Sequence, residues 1–129
     1  MFERPEIMRL AQELAGHAAA RQEQIAQNVA NADTPGYRAR DLVDFAQYYS
    51  GSAGADMRTT RAGHSGHADF GQTPATVIDT RTEPAPNGNS VSLEAEMIRQ
   101  VESRHQHDMA LAVYKSSLDL MRAVVGRGR

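Results

Sequence analysis

The residues of this chain best suited to chemistry are its five histidines and its carboxylates. His64-Ser65-Gly66-His67, with Asp69 close by, offers imidazole and carboxylate groups that could bind a metal weakly. The stretch is Gly-rich and lacks the third ligand and the outer hydrogen-bonding partners that fix a metal site. His105 and His107 stand two apart in a predicted helix, where side chains point to nearly opposite sides, so they cannot chelate together. His17 is alone and reads as an ordinary surface or interface residue. None of the serines lies in a nucleophile elbow, and the glycines form no phosphate-cradling loop. Glu94 and Glu96 read as acids of a first helical turn. Cysteine is absent, which excludes disulfides, thiolate nucleophiles and Cys-based zinc sites. The sequence therefore predicts no catalytic residue, no cofactor and no metal.

Composition narrows the remaining roles. The chain has 129 residues, 14 Lys plus Arg and 16 Asp plus Glu, for a formal net charge of −2. That balance gives no surplus of basic groups for nucleic-acid phosphates and no polybasic pull to an anionic membrane. No apolar run approaches the roughly 18 residues of a membrane span. Met1-Phe2-Glu3-Arg4-Pro5-Glu6 has neither a basic nor an apolar signal region, so export by a route without signal-peptide cleavage is expected if the protein leaves the cytoplasm. Leu, Ile, Val and Phe number 22, or 17% of the chain, too few for a packed globular enzyme of this length.

The apolar residues are concentrated at the two ends. Residues 46–90 hold only Met57, Phe70, Val77 and Ile78 as large apolar groups, with six of the ten glycines. Such a stretch cannot offset the entropy of ordering its backbone and is expected to be a flexible, irregular centre. The expected units are a helix plus turn over 1–45, this centre over 46–90, and a second helix over 91–129. The first helix, near 5–32, carries a thin, alanine-rich stripe that includes Ile7, Leu10, Leu14, Ile25 and Val29, interrupted by Arg21-Gln22. Alanine lets another helix approach closely but buries little area. The second, near 92–125, is capped by Ser92 and stopped by Gly126. Its apolar residues, among them Leu93, Met97, Val101, Leu120 and Val124, wander around the helix and suggest several neighbours. These ten residues are the candidates for helix packing. Pairs Glu96–Arg99, Arg104–Asp108 and Lys115–Asp119 are spaced for surface support.

Between the first helix and the centre runs Asn28-Val29-Ala30-Asn31-Ala32-Asp33-Thr34-Pro35-Gly36-Tyr37-Arg38-Ala39-Arg40-Asp41-Leu42-Val43-Asp44-Phe45. Pro35 drives Thr34 out of the helical region, and Pro-Gly suits the central positions of a type II turn. Asn31 and Asp33 can bond nearby backbone and end the helix. Tyr37 and Phe45 then present aromatic anchors on an extended stretch, while Arg38 and Arg40 can pair with acids of a neighbouring subunit or remain solvated. On physical grounds alone the segment reads as a helix stop.

The same residues resemble the N-terminal signature of the bacterial flagellar rod, hook and hook-associated proteins. Arg38-Ala39-Arg40-Asp41 and Asp44-Phe45 resemble its proximal-rod members, and Val91-x-Leu93-Glu94-x-Glu96-Met97 resembles the opening of their last helix. The resemblance covers both ends and leaves the middle unmatched. It implies an all-α fold whose long N- and C-terminal helices pack together as a coiled-coil-like tube domain. It also implies a non-enzymatic structural subunit of the proximal rod that self-assembles through its terminal helices to transmit motor torque. The implied assembly motif is Asn28, Asn31, Ala32, Asp33, Thr34, Pro35, Gly36, Tyr37, Arg40, Asp41 and Phe45. Implied partners are rod subunits of the FlgC, FlgF and FlgG types, the basal-body adaptor FliE and the flagellar type III export apparatus. The implied location is the rod in the periplasmic space. The competing readings are an FlgC-like subunit, a hook-type protein lacking its middle domain, a helical adaptor that folds on binding, and a small His-dependent metal-binding enzyme.

Overall fold

The computed structural model describes residues 6–52 and 76–126. In chain order these form α1 (Glu6–Ala30), β1 (Arg40–Leu42), α2 (Phe45–Ser52), β2 (Val77–Asp79) and α3 (Leu93–Gly126). Both terminal helices lie where the sequence places them. At 1.5 Å per residue α1 is about 38 Å long and α3 about 51 Å. Ser92 caps α3 as expected: its carbonyl accepts the Glu96 N–H at 2.9 Å and its hydroxyl accepts the Ala95 N–H at 3.4 Å.

α1 and α3 pack side by side, and their seam is made of small residues. Along α1 the buried positions include Ala11, Ala18 and Ile25; along α3 they are Glu96, Ser103, Ala110 and Ser117. Both sets step by seven, the repeat that keeps one narrow seam facing a partner helix. Ala18, Ser103 and Ala110 are at most 1% exposed. The Ser103 hydroxyl donates to the Ala18 carbonyl at 2.8 Å, a bond from one helix to the backbone of the other. It sets an antiparallel register in which the same seven-residue steps bring Ala11 level with Ala110 and Ile25 level with Glu96.

This seam uses few of the large residues named as packing candidates. Ile25 is buried and Leu14 half-buried, while Ile7, Leu10, Val29, Leu93, Met97, Val101, Leu120 and Val124 are exposed. The reason is geometric: where Ser103 reaches the Ala18 carbonyl the helices leave little room for large side chains between them, and Met8 and Ile25 are the large apolar residues that α1 does bury.

Among the described residues between the two long helices there are three short elements, β1, α2 and β2. β1 and β2 pair antiparallel, Arg40 facing Asp79, Asp41 facing Ile78 and Leu42 facing Val77. α2 opens at Phe45, where the sequence reading expected extended chain; the Asp44 carbonyl accepts the N–H groups of Gln47 and Tyr48, each at 3.0 Å. His64, His67, Asp69, Met57 and Phe70 lie outside the described residues. No described helix is long and apolar enough to cross a membrane.

Enlarging the seam should separate the helices. Ser103→Leu is expected to lower stability by about 1–3 kcal/mol through overpacking. Ser103→Ala, which loses only the hydroxyl, should cost about 1 kcal/mol. Urea unfolding followed by circular dichroism compares the two; equal costs would show a loosely packed seam.

Candidate functional site

The turn after α1 forms as its residues dictate. Asn31 Nδ2 donates to the Gln27 carbonyl at 2.8 Å, and the Thr34 hydroxyl donates to Asn31 Oδ1 at 3.3 Å. The Tyr37 N–H returns to the Thr34 carbonyl at 3.3 Å, closing a turn around Pro35 and Gly36. Gly36 has φ +74°, the positive value that the third position of a type II turn demands. Ala32 is half-buried, and Asp33 is exposed on the turn.

From there the chain runs back along α1 and is fastened by one side chain. Asn28 is fully buried. Its Nδ2 donates to the Arg40 carbonyl at 2.6 Å, and its Oδ1 accepts the Arg40 N–H at 3.2 Å. The same oxygen accepts the Tyr37 hydroxyl at 3.2 Å and Gln24 Nε2 at 3.3 Å. One amide thus meets both backbone groups of Arg40, as a neighbouring strand would. Tyr37 is therefore turned inward by its hydroxyl instead of standing free as an anchor.

A second asparagine closes the site from the other half of the chain. Asn89, only 4% exposed, directs Nδ2 at the carbonyls of Asn31, Ala32 and Thr34, at 2.9, 2.7 and 2.9 Å. These are carbonyls of the turn that follows α1, two of which, those of Asn31 and Thr34, also accept the N–H groups of Thr34 and Tyr37. Its Oδ1 accepts the Val91 N–H at 2.8 Å, just before α3. Around it, the Gly36 N–H donates to the Asn87 carbonyl, the Ser90 N–H to the Tyr37 carbonyl, and the Ala39 N–H to the Ser90 hydroxyl. Gly88, at φ +81°, lies so close that an added Cβ would sit 3.3 Å from the Gly36 Cα. Residues 87–90 and 31–39 form a latch between the two ends of the chain.

An ion network adds a third tie. Asp41 takes a bidentate pair from Arg21, Nε to Oδ1 at 3.0 Å and Nη2 to Oδ2 at 2.9 Å. Arg99 on α3 approaches the same carboxylate at 3.6 Å and pairs with Glu96, while Glu102 lies 3.8 Å from Arg21. The hydrogen bonds to Asp41 raise the Arg21 pKa above its usual value, outweighing the lowering caused by burial. Glu96 is fully buried, and among the described residues its Oε2 meets no hydrogen-bond partner. It is more than a first-turn acid: it joins α3 to the network that holds α1 and β1.

Other sequence readings need adjustment. His17 is buried: its Nε2 meets the Val43 carbonyl at 2.8 Å and its ring packs edge-on to Phe45, centroids 5.5 Å apart. A lone polar residue on an alanine-rich stripe could have suggested this role. Arg38 pairs within the chain, to Asp79 at 3.2 Å, while the Arg40 side chain is exposed. Of the expected α3 pairs Glu96–Arg99 forms, whereas Asp119 meets Arg122 at 3.6 Å. Arg21 appeared only as an interruption of the stripe, because its partner lies 20 residues away.

The architecture is that of a helical structural subunit whose polar turn is locked by its own second half. A family model described as "Flagella basal body rod protein" matches residues 15–38, from mid-α1 through the turn. The flagellar basal body rod protein FlgB of Salmonella typhimurium LT2 is 33% identical, over 94% of this chain and 94% of that protein. FlgB of Agrobacterium fabrum C58 is 32% identical over 95% and 94%, and FlgB of Escherichia coli K12 is 29% identical over 94% of each. The chain belongs to the FlgB family of flagellar basal body rod proteins, which is structural and not enzymatic. The FlgC-like and metalloenzyme readings are not favoured.

Two outcomes follow from the site. Asn28→Ala leaves the Arg40 backbone pair and the Tyr37 hydroxyl unmet and should cost about 2–3 kcal/mol, read by urea unfolding. Asp79 has its pKa lowered, first by the Arg81 N–H and then by Arg38. Its contribution to the β1–β2 pairing should therefore persist above the ordinary aspartate range and fade as pH falls through the lowered value. Following the Arg81 amide by NMR from neutral to acid pH reads this directly; a midpoint at the ordinary aspartate value would count against it.

Proposed function

We propose that this chain is a proximal-rod subunit whose latched helical hairpin docks its outward apolar faces on neighbouring subunits. The observation that carries the reading is the split between seam and surface. Small residues hold α1 to α3, while Met97 at 70%, Ile98 at 63%, Val101 at 69% and Val124 at 74% stand in solvent. A single helix pair that exposes so many large apolar groups needs other subunits to cover them. Contacts of this heterologous kind build an open helical assembly instead of a closed ring.

In this reading the residues 28–41 act mainly within the subunit, setting the angle between the hairpin and the β1–β2 strands. The apolar candidates Ile7, Leu10, Val29, Leu93, Met97, Val101, Leu120 and Val124 supply the contacts between subunits. The neighbours are rod subunits of the FlgC, FlgF and FlgG types together with FliE. Delivery is through the flagellar type III export apparatus without signal-peptide cleavage, to a rod that crosses the periplasmic space and transmits torque. The match of the FlgB relatives along nearly the whole chain supports that setting.

Met97→Asp and Val101→Asp separate folding from assembly. Both residues are exposed, so each change should shift monomer stability by no more than about 0.5 kcal/mol. Each variant should still be exported yet give cells without completed basal bodies and without motility, scored by secretion assay and electron microscopy. Normal rods from the double variant would overturn the assignment of this face.

A further inference from the structure

Among its four asparagines the chain has one followed by glycine, Asn87-Gly88, and it stands inside the latch. Asn28 and Asn89 are buried with both ends of their amides bonded, and Asn31 holds the last turn of α1. Asn87 by contrast is exposed. Its Oδ1 accepts the Asn89 N–H at 3.0 Å, a contact that polarises the side-chain amide and makes Cγ more electrophilic. The next residue has no Cβ to shield its backbone nitrogen.

From this arrangement we infer that Asn87 is a site of spontaneous deamidation through a succinimide, and that the latch controls it. The Gly88 nitrogen, deprotonated by hydroxide, attacks Asn87 Cγ. The N–Cγ bond forms, the Cγ–Nδ2 bond breaks, and the amide leaves as ammonia with a proton from water. Water then opens the ring at either carbonyl, leaving aspartate or isoaspartate at position 87. No oxidant, reductant or enzyme takes part.

The closed latch opposes the first step. The Gly88 N–H is engaged with the Ala85 carbonyl at 2.8 Å, and the Asn87 carbonyl is held by the Gly36 N–H at 3.1 Å. The nucleophile is thus both protonated and fixed. Opening the latch releases it. Isoaspartate inserts the Cβ methylene into the main chain, between the Asn87 Cα and the carbonyl bonded to the Gly88 nitrogen, and the former main-chain carbonyl becomes a free carboxylate. There is no slack for it where an added Cβ on Gly88 would lie 3.3 Å from Gly36. The change is therefore one-way: a subunit left open long enough loses the ability to close.

The test uses the full-length chain at mildly alkaline pH, with and without unfolding concentrations of urea. Tryptic peptide mapping by mass spectrometry locates the amide-to-acid change, and methylation by isoaspartyl methyltransferase detects isoaspartate. A latch closed nine-tenths of the time slows the reaction about tenfold, so the urea sample should react at least about ten times faster. Gly36→Ala, which disturbs the latch without touching Asn87 or Gly88, should bring the reaction in buffer towards the urea rate. Asn87→Gln should suppress it in both. In reacted wild-type protein the Gly36 amide should lose its exchange protection. Equal rates with and without urea, no reaction at Asn87 in urea, or retained Gly36 protection in the isoaspartyl product would each overturn the proposal.

Discussion

Close approach of two helix backbones along a seam of alanine and serine is the constraint from which the rest of this structure follows. Ser103 bonded to the Ala18 carbonyl sets both the spacing and the register of α1 against α3. At that separation the stretch around Ser103 takes no large side chain, and on α3 Leu93, Met97, Val101, Leu120 and Val124 are left exposed. Little apolar area is then removed from water within one subunit, and the hydrophobic contribution to its stability is correspondingly small.

Polar groups supply the definition that the thin core does not. Asn28 substitutes for a strand beside Arg40, and Asn89 binds three carbonyls of the turn after α1. Arg21 and Arg99 converge on Asp41 from the two helices. Hydrogen bonds and bidentate ion pairs are directional, so they specify one angle and one register where apolar contact would tolerate several. A rod subunit benefits from this because any angular error at one interface is repeated along the assembly.

The family match runs along α1 and ends on the turn motif. Residues 15–38 span the seam position Ala18, the network residue Arg21, the fastener Asn28 and the whole Pro35-Gly36 turn. These residues act on their own chain. An asparagine that meets both backbone groups of one residue has no chemical substitute of the same shape.

Much of this was legible in the residues themselves. Helix periodicity, the Ser92 cap, the Pro-Gly turn and the scarcity of apolar groups in the centre are local properties, encoded within a few positions of where they act. The alanine-rich stripe already announced a closely approached partner helix. The tertiary structure alone decided which residues meet. Asn89 reaches back across more than 50 residues to the end of α1, Arg21 finds Asp41, and His17 is buried against Val43 and Phe45. Serine, asparagine and arginine look like surface residues in a linear pattern, because only their partners' positions in space make burial favourable. Periodicity ranked the large apolar residues as the packing set for the same reason: it records amphipathic faces but not the distance between helices, and here that distance left most of them, though not Ile25, exposed.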